Sequence, residues 1–182
     1  ALAGAVGLGS LMALAGCGGG PAPLQGAGAS FPASIYQRWF SDLASKEGVQ
    51  VNYQSVGSGA GVRQFLAGTV DFGASDAPMK ADEVAQAKNG VLQLPLTAGA
   101  IAVAYNLPGC ELKLSQAQVV GIFEGKIRNF KELGCADQPI QVIVRSDGSG
   151  TTKNFTSSLS AFSPAWKAGP GSGKSVNWPT GV

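Results

Sequence analysis

The spacing of apolar and polar residues divides the first half of the chain into short helices and strands. Ile35, Trp39 and Leu43 are among the apolar residues that recur at helical spacing, so residues 32–46 are predicted to form a helix. Residues 49–56 alternate apolar and polar side chains and predict a strand. The same patterns then predict a short helix ending at Gly68, a strand over 70–74 that ends near Ser75 and Asp76, a helix over 81–88 and strands over 91–96 and 100–105.

The second half of the chain continues this alternation. Ser115 is a candidate N-cap for a helix over 115–123, because a Ser hydroxyl can accept a hydrogen bond from the first turn. β-branched residues predict a strand over 140–144, and a helix is predicted over 151–162. Strands, turns and helices that follow one another in this way predict an α/β fold.

The amino-terminal segment has the character of an export signal. Residues 1–16 carry no charge and are too short and too rich in Gly and Ala for a transmembrane helix. They are typical of the apolar part of a secretory signal peptide, here only partly present. Cys17 ends a run, Leu-Ala-Gly-Cys, that resembles a bacterial lipobox, so we expect Cys17 to be lipidated and residues 17–24 to form a flexible tether. The alternative is a fragment of an ordinary Ala-rich helix.

Composition narrows the possible functions. Glycine makes up 27 of the 182 residues, which is about twice the usual share. The chain has no His, which excludes a Ser-His-Asp or Cys-His nucleophile and any His-ligated metal site. A net charge of +2 gives no basic surface of the kind that binds nucleic acid.

Export also bears on the other two cysteines. If Cys17 is lipidated, Cys110 and Cys135 remain in an oxidising compartment, where disulfides persist. A bridge between them would close a loop of about 26 residues and stabilise the fold by roughly 3.5 kcal/mol. We expect this disulfide; two separate buried thiols are the alternative.

Three turns rich in Gly, Ser and Thr each come directly before a predicted helix. The first residues of a helix offer unpaired N–H groups and the positive end of the helix dipole. Glycine lets that backbone approach a ligand, and the hydroxyls add donors, so the turns together predict an oxyanion site. Ordinary N-capping is the alternative for any one turn. The turns are residues 26–32, 57–61 and 147–152.

Three charged residues refine this prediction. Arg145, at the end of the 140–144 strand, can donate two hydrogen bonds to an oxyanion, and Asp147 can brace its guanidinium. Asp76 follows the 70–74 strand and would repel a fully ionised anion. A carboxylate there suits a ligand that still carries a proton, as phosphate does and sulfate does not. Asp76 could also be only a turn residue.

Four stretches of the sequence resemble one family, the periplasmic phosphate-binding proteins of high-affinity phosphate ABC transporters (the PstS family). The resemblance runs from about Gly26 to the last residue, and its segment from Thr69 to Pro78 is highly specific. The matching stretches are GAGASFP (26–32), VNYQSVGS (51–58), VDFGASDAP (70–78) and RSDGSGT (145–151).

The resemblance implies a set of phosphate ligands, with no metal and no cofactor. Ser30 stands where the family often has Thr, so the hydroxyl is kept. Phe31 and Gly150 would contribute their backbone N–H groups. The full implied set is Ser30, Phe31, Ser58, Asp76, Arg145, Ser149, Gly150 and Thr151.

The resemblance also implies an architecture and partners. The family fold is a type II periplasmic-binding-protein fold, in which two hinged α/β lobes close over the ligand. Lobe 1 would comprise residues 25–97 and lobe 2 residues 98–182. The family chain is longer and returns to complete lobe 1, so we expect this sequence to be a truncated fragment. The implied protein is a lipid-anchored monomer in the periplasm or on the outer face of the cytoplasmic membrane. It would bind inorganic phosphate and deliver it to an ABC permease with its ATPase.

Two other functions compete with this one. An exported phosphate-ester hydrolase or a phosphate-dependent adhesin could use the same pocket, although a hydrolase would need a metal cluster or an activated nucleophile. Residues 168–175 loosely match a nucleotide-binding P-loop. A P-loop needs a strand before it and a helix after it, and Pro164 and Pro179 argue against both. We therefore expect a binding protein and not an enzyme.

Overall fold

The computed structural model describes residues 21–181. The predicted signal peptide, Cys17 and the first part of the tether lie outside these residues. Within 21–181, no helix has the length and apolar character needed to cross a membrane.

A three-stranded parallel sheet forms the first part of the structure. Its strands are β1 (Leu24–Gly28), β2 (Val51–Ser55) and β3 (Phe72–Ala74), in the order β2-β1-β3. Gly26 pairs with Tyr53 on one side and Phe72 on the other. A Cβ at Gly26 would overlap the Phe72 ring, so the absence of a side chain lets that ring lie over the central strand.

Helices connect and follow these strands. The alternation confirms the predicted α/β class, and Ser115 caps its helix as predicted, accepting from the Gln118 amide at 3.3 Å. The helices are α1 (Ala33–Glu47), α2 (Ser58–Ala67), α3 (Ala81–Gln86), α4 (Gln116–Phe123), α5 (Gly150–Phe162) and α6 (Pro164–Ala168), with a 3-10 helix at Phe130–Leu133.

Two hydrophobic clusters hold these elements together. The smaller one packs α1 on the sheet, where Tyr36 meets Tyr53 edge to face with ring centres 5.3 Å apart. The larger one joins α4, α5 and α6 around the fully buried Leu159 and Trp166. The Trp166 indole also donates to the Gly171 carbonyl at 2.8 Å, which satisfies its buried N–H.

All three predicted turns are shorter than expected, the third because α5 already begins at Gly150. Residues 26–28 belong to β1 because their backbone pairs with both neighbouring strands, so this turn begins only at Ala29. In the second turn, α2 already begins at Ser58 and only Gly57 lies outside the helix. Gly57 has φ of 85°, a left-handed conformation that other residues adopt at a cost.

Three predicted strands are wrong: residues 91–96, 100–105 and 140–144 form no strand. A strand needs hydrogen bonds to a neighbouring strand, and these segments find none within residues 21–181. Several of their apolar side chains are exposed, Leu92 by 79%. Apolar content alone therefore misled the prediction, because it indicates burial and does not supply a pairing partner.

A disulfide joins Cys110 to Cys135, whose Cα atoms lie 5.6 Å apart. The bridge ties the segment before α4 to the end of the 3-10 helix. On the same loop, the Tyr105 hydroxyl donates to the Cys110 carbonyl at 2.7 Å.

Candidate anion-binding site

The carboxyl ends of the parallel strands and the first residues of two helices meet at one place. Ser30 follows β1 and Asp76 follows β3, while Ser58 begins α2 and Gly150 begins α5. In parallel α/β sheets, ligands bind at this end of the strands. The topology thus gathers side chains that are far apart in sequence.

Ser58 lies at the centre of this group and is fully buried. Its hydroxyl oxygen accepts hydrogen bonds from the backbone amides of Asp76, at 3.3 Å, and Gly150, at 3.1 Å. One side chain therefore links the end of β3 to the start of α5. With both lone pairs used in this way, the Ser58 hydroxyl can form a further hydrogen bond only by donating its hydrogen.

Asp76 faces the first turn of α5. The Thr151 hydroxyl donates to its Oδ2 at 3.3 Å. Burial raises the pKa of the Asp76 carboxyl, and the hydrogen bond from Thr151 and the charge of Arg145 offset only part of that rise. The carboxylate is thus a half-buried acceptor among donors.

Arg145 reaches across to the turn after β1. Its Nη1 donates to Ser30 Oγ at 3.1 Å, although 115 residues separate the two in the chain. Its Nε donates to Asp147 Oδ1 at 2.7 Å, and Nη2 donates to the other oxygen. These hydrogen bonds lower the pKa of Asp147 and raise that of Arg145. Asp147 therefore fixes the direction of the guanidinium.

Ser149 and Phe31 occupy more peripheral positions. Ser149 is buried and caps α5, where its hydroxyl accepts from the Thr152 amide at 3.2 Å. Phe31 follows Ser30 and is half exposed, with its ring against Gly99. Of the residues implied by the resemblance, contacts join Ser58, Asp76, Gly150 and Thr151 in one group and Ser30 and Arg145 in another.

Glycine makes this close packing possible. A Cβ at Gly150 would lie 2.7 Å from both Asp76 Cβ and Ser58 Oγ, so a side chain there would force α5 away from Asp76. A Cβ at Gly57 would overlap the Asp147 carboxylate. Beside these, the Gly59 amide donates to the Gly148 carbonyl at 2.7 Å. Backbone thus contacts backbone around the site.

Sequence reasoning missed Asn154, which contacts the site, and an ion pair between Glu83 and Lys174. Asn154 donates from Nδ2 to the Asp76 carbonyl at 2.8 Å. It follows Thr151 by three residues, so helical spacing could have placed both on one face of α5. Lys174 and Glu83 form an ion pair at 3.2 Å, which no local pattern in the sequence indicates.

An open cleft of about 1050 Å³ lies beside these residues. Its walls include Asp76, Thr151, Asn154 and the segment 90–102. Within residues 21–181, no three His, Cys, Asp or Glu side chains come together in a way that could hold a metal ion.

The loose P-loop match at 168–175 has a different structure. Helix α6 precedes it, and the described residues after it, 176–181, form no helix. Lys174, which would contact a nucleotide phosphate in a P-loop, is paired with Glu83. This arrangement differs from the strand, loop and helix of a P-loop.

The site can offer a ligand several donors and one acceptor. The donors are the Ser58 hydroxyl and three groups that an anion would take over from their present partners in the protein: the Thr151 hydroxyl, the Arg145 guanidinium and the Gly150 amide. The acceptor is Asp76. This combination matches a tetrahedral oxyanion that carries one proton.

Relatives of the chain are named for phosphate. The phosphate-binding protein PstS of Pasteurella multocida is 46% identical over 170 residues, covering 87% of this chain and 49% of the relative. The PstS of Haemophilus influenzae is 46% identical over 170 residues, covering 87% and 50%. The chain therefore spans about half the length of the curated relatives it matches.

Solved structures of phosphate transport proteins are also similar to the chain. An ABC-type phosphate transport receptor from Vibrio cholerae superposes with a TM-score of 0.59 and 26% identity, over 77% of this chain and 56% of that one. A phosphate ABC transporter substrate-binding protein from Clostridium perfringens, solved with bound phosphate, gives a TM-score of 0.57 and 26% identity, over 80% and 56%.

The resemblance to PstS proteins predicted from the four motifs is confirmed by these relatives. A family model described as a PBP superfamily domain matches residues 15–180. With nearly the whole chain matched, and with an α/β fold whose parallel sheet ends at a site rich in donors, the chain belongs to the PBP superfamily.

Proposed function

We propose that the protein binds inorganic phosphate at the candidate anion-binding site. The observation that carries this is the placement of Asp76, a half-buried carboxylate, beside the Thr151 hydroxyl and close enough to Arg145 for its charge to act on the carboxylate. The bound anion would replace some of the contacts among these residues. Its ligands would be those implied by the resemblance, from Ser30 to Thr151.

Asp76 would provide selectivity. Monohydrogen and dihydrogen phosphate each carry a proton that a carboxylate can accept, whereas sulfate at neutral pH offers none. Sulfate would therefore leave the carboxylate facing an anion oxygen without a hydrogen between them, which costs several kcal/mol. Arg145 and the helix amides would attract both anions equally, so the discrimination would come from Asp76.

The named relatives support this ligand. Two of them are phosphate-binding proteins of bacteria, and the Clostridium perfringens structure contains phosphate. This chain covers about half of each curated relative, so the phosphate binding proposed for the whole protein rests on the half that matches.

We infer in addition that the protein serves phosphate import. It would be anchored through a lipid on Cys17, act as a monomer in the periplasm or at the outer face of the cytoplasmic membrane, and deliver phosphate to an ABC permease. Residues 25–97 and 98–182 would belong to two lobes that close on the anion. Closure would be favoured by contacts that exist only when both lobes hold the ligand.

Binding would involve no bond making or breaking. A hydrolase acting on phosphate esters needs an activated nucleophile or a metal-bound water. Asp76 and Asp147 each contact donors and not one another, an arrangement that suits holding an anion. Neither the hydrolase nor the adhesin alternative is favoured by a contact in the site.

Calorimetric titration of the full-length protein with phosphate and with sulfate tests the proposal. We expect tight binding of phosphate and binding of sulfate that is weaker by at least about a hundredfold, given a penalty of several kcal/mol. Equal affinity for the two anions would contradict the proposal, as would turnover of a phosphate ester by the purified protein.

A further inference from the structure

Glu83 and Lys174 form an ion pair that lies outside the candidate site. Lys174 Nζ is 3.2 Å from Glu83 Oε1, and the two side chains are only 22% and 17% exposed, Glu83 and Lys174 respectively. Other ion pairs in the described part of the chain, such as Lys131 with Asp137, are local in sequence. Glu83 and Lys174 are 91 residues apart. The pair therefore joins two distant parts of the fold.

The Glu83 side of the pair is rigidly held. Glu83 lies in the first turn of α3, and its Oε2 accepts from the Lys80 amide at 2.7 Å. Burial raises the pKa of the Glu83 carboxyl, but this amide and Lys174 outweigh that effect and the pKa is lowered. The carboxylate is thus already charged and oriented where it meets Lys174.

Helix α3 is connected to Asp76 by a short ordered segment. The Ser75 hydroxyl donates to the Ala77 carbonyl at 2.6 Å, and Ala77 is buried. Only residues 77–80 separate Asp76 from Ala81, the first residue of α3, so holding α3 in place restricts where Asp76 can lie.

The Lys174 side of the pair is connected to the start of α5. The Lys174 carbonyl accepts from the Ser149 amide at 2.8 Å, directly before Gly150 and Thr151. The preceding residue, Gly173, donates its amide to Thr156 Oγ1 on α5 at 3.2 Å. The loop that carries Lys174 is therefore fixed to α5 at two points.

We propose that Glu83 and Lys174 act as an ion-pair clasp that holds the start of α5 against Asp76 and so strengthens phosphate binding without touching the anion. This inference rests on the proposed function. The clasp connects the acceptor of the site, Asp76, to its donors at Ser149, Gly150 and Thr151. It makes Glu83 and Lys174 positioning residues.

The clasp would raise the fraction of molecules in which Asp76 and the start of α5 are close enough to bind phosphate together. The apparent affinity of a site falls in proportion to the fraction of molecules in which its two sides are together. An ion pair that forms only when they are together raises that fraction. Because salt screens charges that solvent reaches, the contribution of the clasp should decline as ionic strength rises.

Phosphate titrations of Glu83→Gln and Lys174→Met in the full-length protein test the clasp. At low salt we expect each to weaken phosphate binding about fivefold, which corresponds to about 1 kcal/mol for a partly exposed pair. The double variant should be no weaker than either single one. Raising the salt concentration should weaken phosphate binding more in the wild type than in the variants.

Two further variants separate the clasp from a general loss of structure. Exchange of the charges, in Glu83→Lys with Lys174→Glu, should recover part of the affinity lost in the single variants. Lys131→Met removes an exposed ion pair distant in sequence from the clasp and should leave phosphate affinity unchanged. Thermal unfolding of each variant reports whether it is folded.

The outcomes distinguish the two proposals. If the wild-type protein does not bind phosphate, the proposed function fails and the clasp with it. If the wild type binds phosphate but the Glu83 and Lys174 variants bind it equally well at low salt, only the clasp is overturned. Folded charge-exchanged protein that binds no better than the single variants would overturn the clasp as well.

Discussion

The Thr151 hydroxyl donates a hydrogen bond to the Asp76 carboxylate at 3.3 Å, although 75 residues separate the two in the chain. This bond brings the first turn of α5 to the end of β3. The Asp76 carboxylate thus lies beside a donor and within reach of the charge of Arg145, so a change in its own charge should alter both ligand selectivity and stability.

Replacing Asp76 with Asn should reduce selectivity between phosphate and sulfate. The amide cannot accept the phosphate proton with the strength of a carboxylate, and it no longer repels sulfate. A hydrogen bond to a charged group contributes about 1.5–3 kcal/mol, so we expect the affinity ratio to fall at least about tenfold. Calorimetric titration with both anions measures it, with Asp42→Asn on α1 as the control. An unchanged ratio in Asp76→Asn would refute the role of Asp76 as proton acceptor.

The same substitution should stabilise the phosphate-free protein at neutral pH. The pKa of Asp76 is higher in the folded protein than its ordinary value of 3.8, chiefly because of burial. The folded state therefore holds this proton more tightly than the unfolded chain, and stability is lost as the pH rises through the raised pKa. An Asn side chain does not ionise, so the Asp76→Asn variant does not undergo this loss of stability. In urea unfolding its advantage over the wild type should be largest near pH 7 and should shrink as the pH falls towards 3.8; an advantage that grows in acid would contradict the assignment.

Replacing Arg145 should weaken the binding of phosphate and of sulfate to a similar extent. Arg145 supplies a positive charge whose direction is fixed by Asp147. Loss of its charged hydrogen bonds should reduce phosphate affinity about 10- to 100-fold in Arg145→Ala. Arg145→Lys should recover only part of this, because Lys cannot form the forked contact with Asp147. Arg38→Ala, an exposed position on α1, serves as the control. Arg145→Ala with unaltered phosphate binding would rule out the guanidinium as a ligand.

Replacing Asn154 with Ala should weaken phosphate binding by about three- to tenfold, the effect of one net hydrogen bond. The side chain holds the Asp76 carbonyl at 2.8 Å and so fixes where the carboxylate lies. Ser158→Ala removes a hydroxyl from the next turn of α5, where it bonds only to the Asn154 carbonyl, and should have little effect. Equal phosphate affinities for the two variants would show that Asn154 does not position Asp76.

The Cys110–Cys135 bridge should stabilise the protein by roughly 3.5 kcal/mol, on the chain-entropy estimate for a loop of this length. Urea unfolding of the variant with both residues changed to Ser, against the wild type, measures this difference. A thiol titration of the denatured, unreduced protein should find neither residue reactive. Two reactive thiols there would contradict the bridge.

Local sequence patterns predicted the helices well and the strands unevenly. Residues 33–47 and 116–123 are helical where periodicity and the Ser115 cap predicted helices, because both signals act within one turn. Residues 91–96 and 100–105 were predicted to be strands from their apolar content alone, yet a strand depends on a partner that no local pattern can supply. The start of α2 was placed too late, because its Gly-rich first turn resembles a loop.

The parts of the candidate site that lie in sequence motifs could be predicted. The turns before α2 and α5 and the residues Asp76 and Arg145 could be identified from the sequence and from the family resemblance. The contact of Asn154 with Asp76 and that of Glu83 with Lys174 could not, because they depend on how the chain after β3 is placed against α5 and against the loop after α6. Such placement depends on tertiary packing, which produces no local pattern in the sequence.

The double acceptor role of Ser58 has a consequence for the kind of ligand that the site admits. Its oxygen is occupied by two amides of the protein, so toward a ligand the hydroxyl can act only as a donor. Ser58 can therefore form a hydrogen bond with a ligand that has acceptor lone pairs and none with a group that can only donate, such as an ammonium. Asp76 accepts where Ser58 can only donate, so under the proposed function the ligand would be one that carries several acceptor oxygens and a proton.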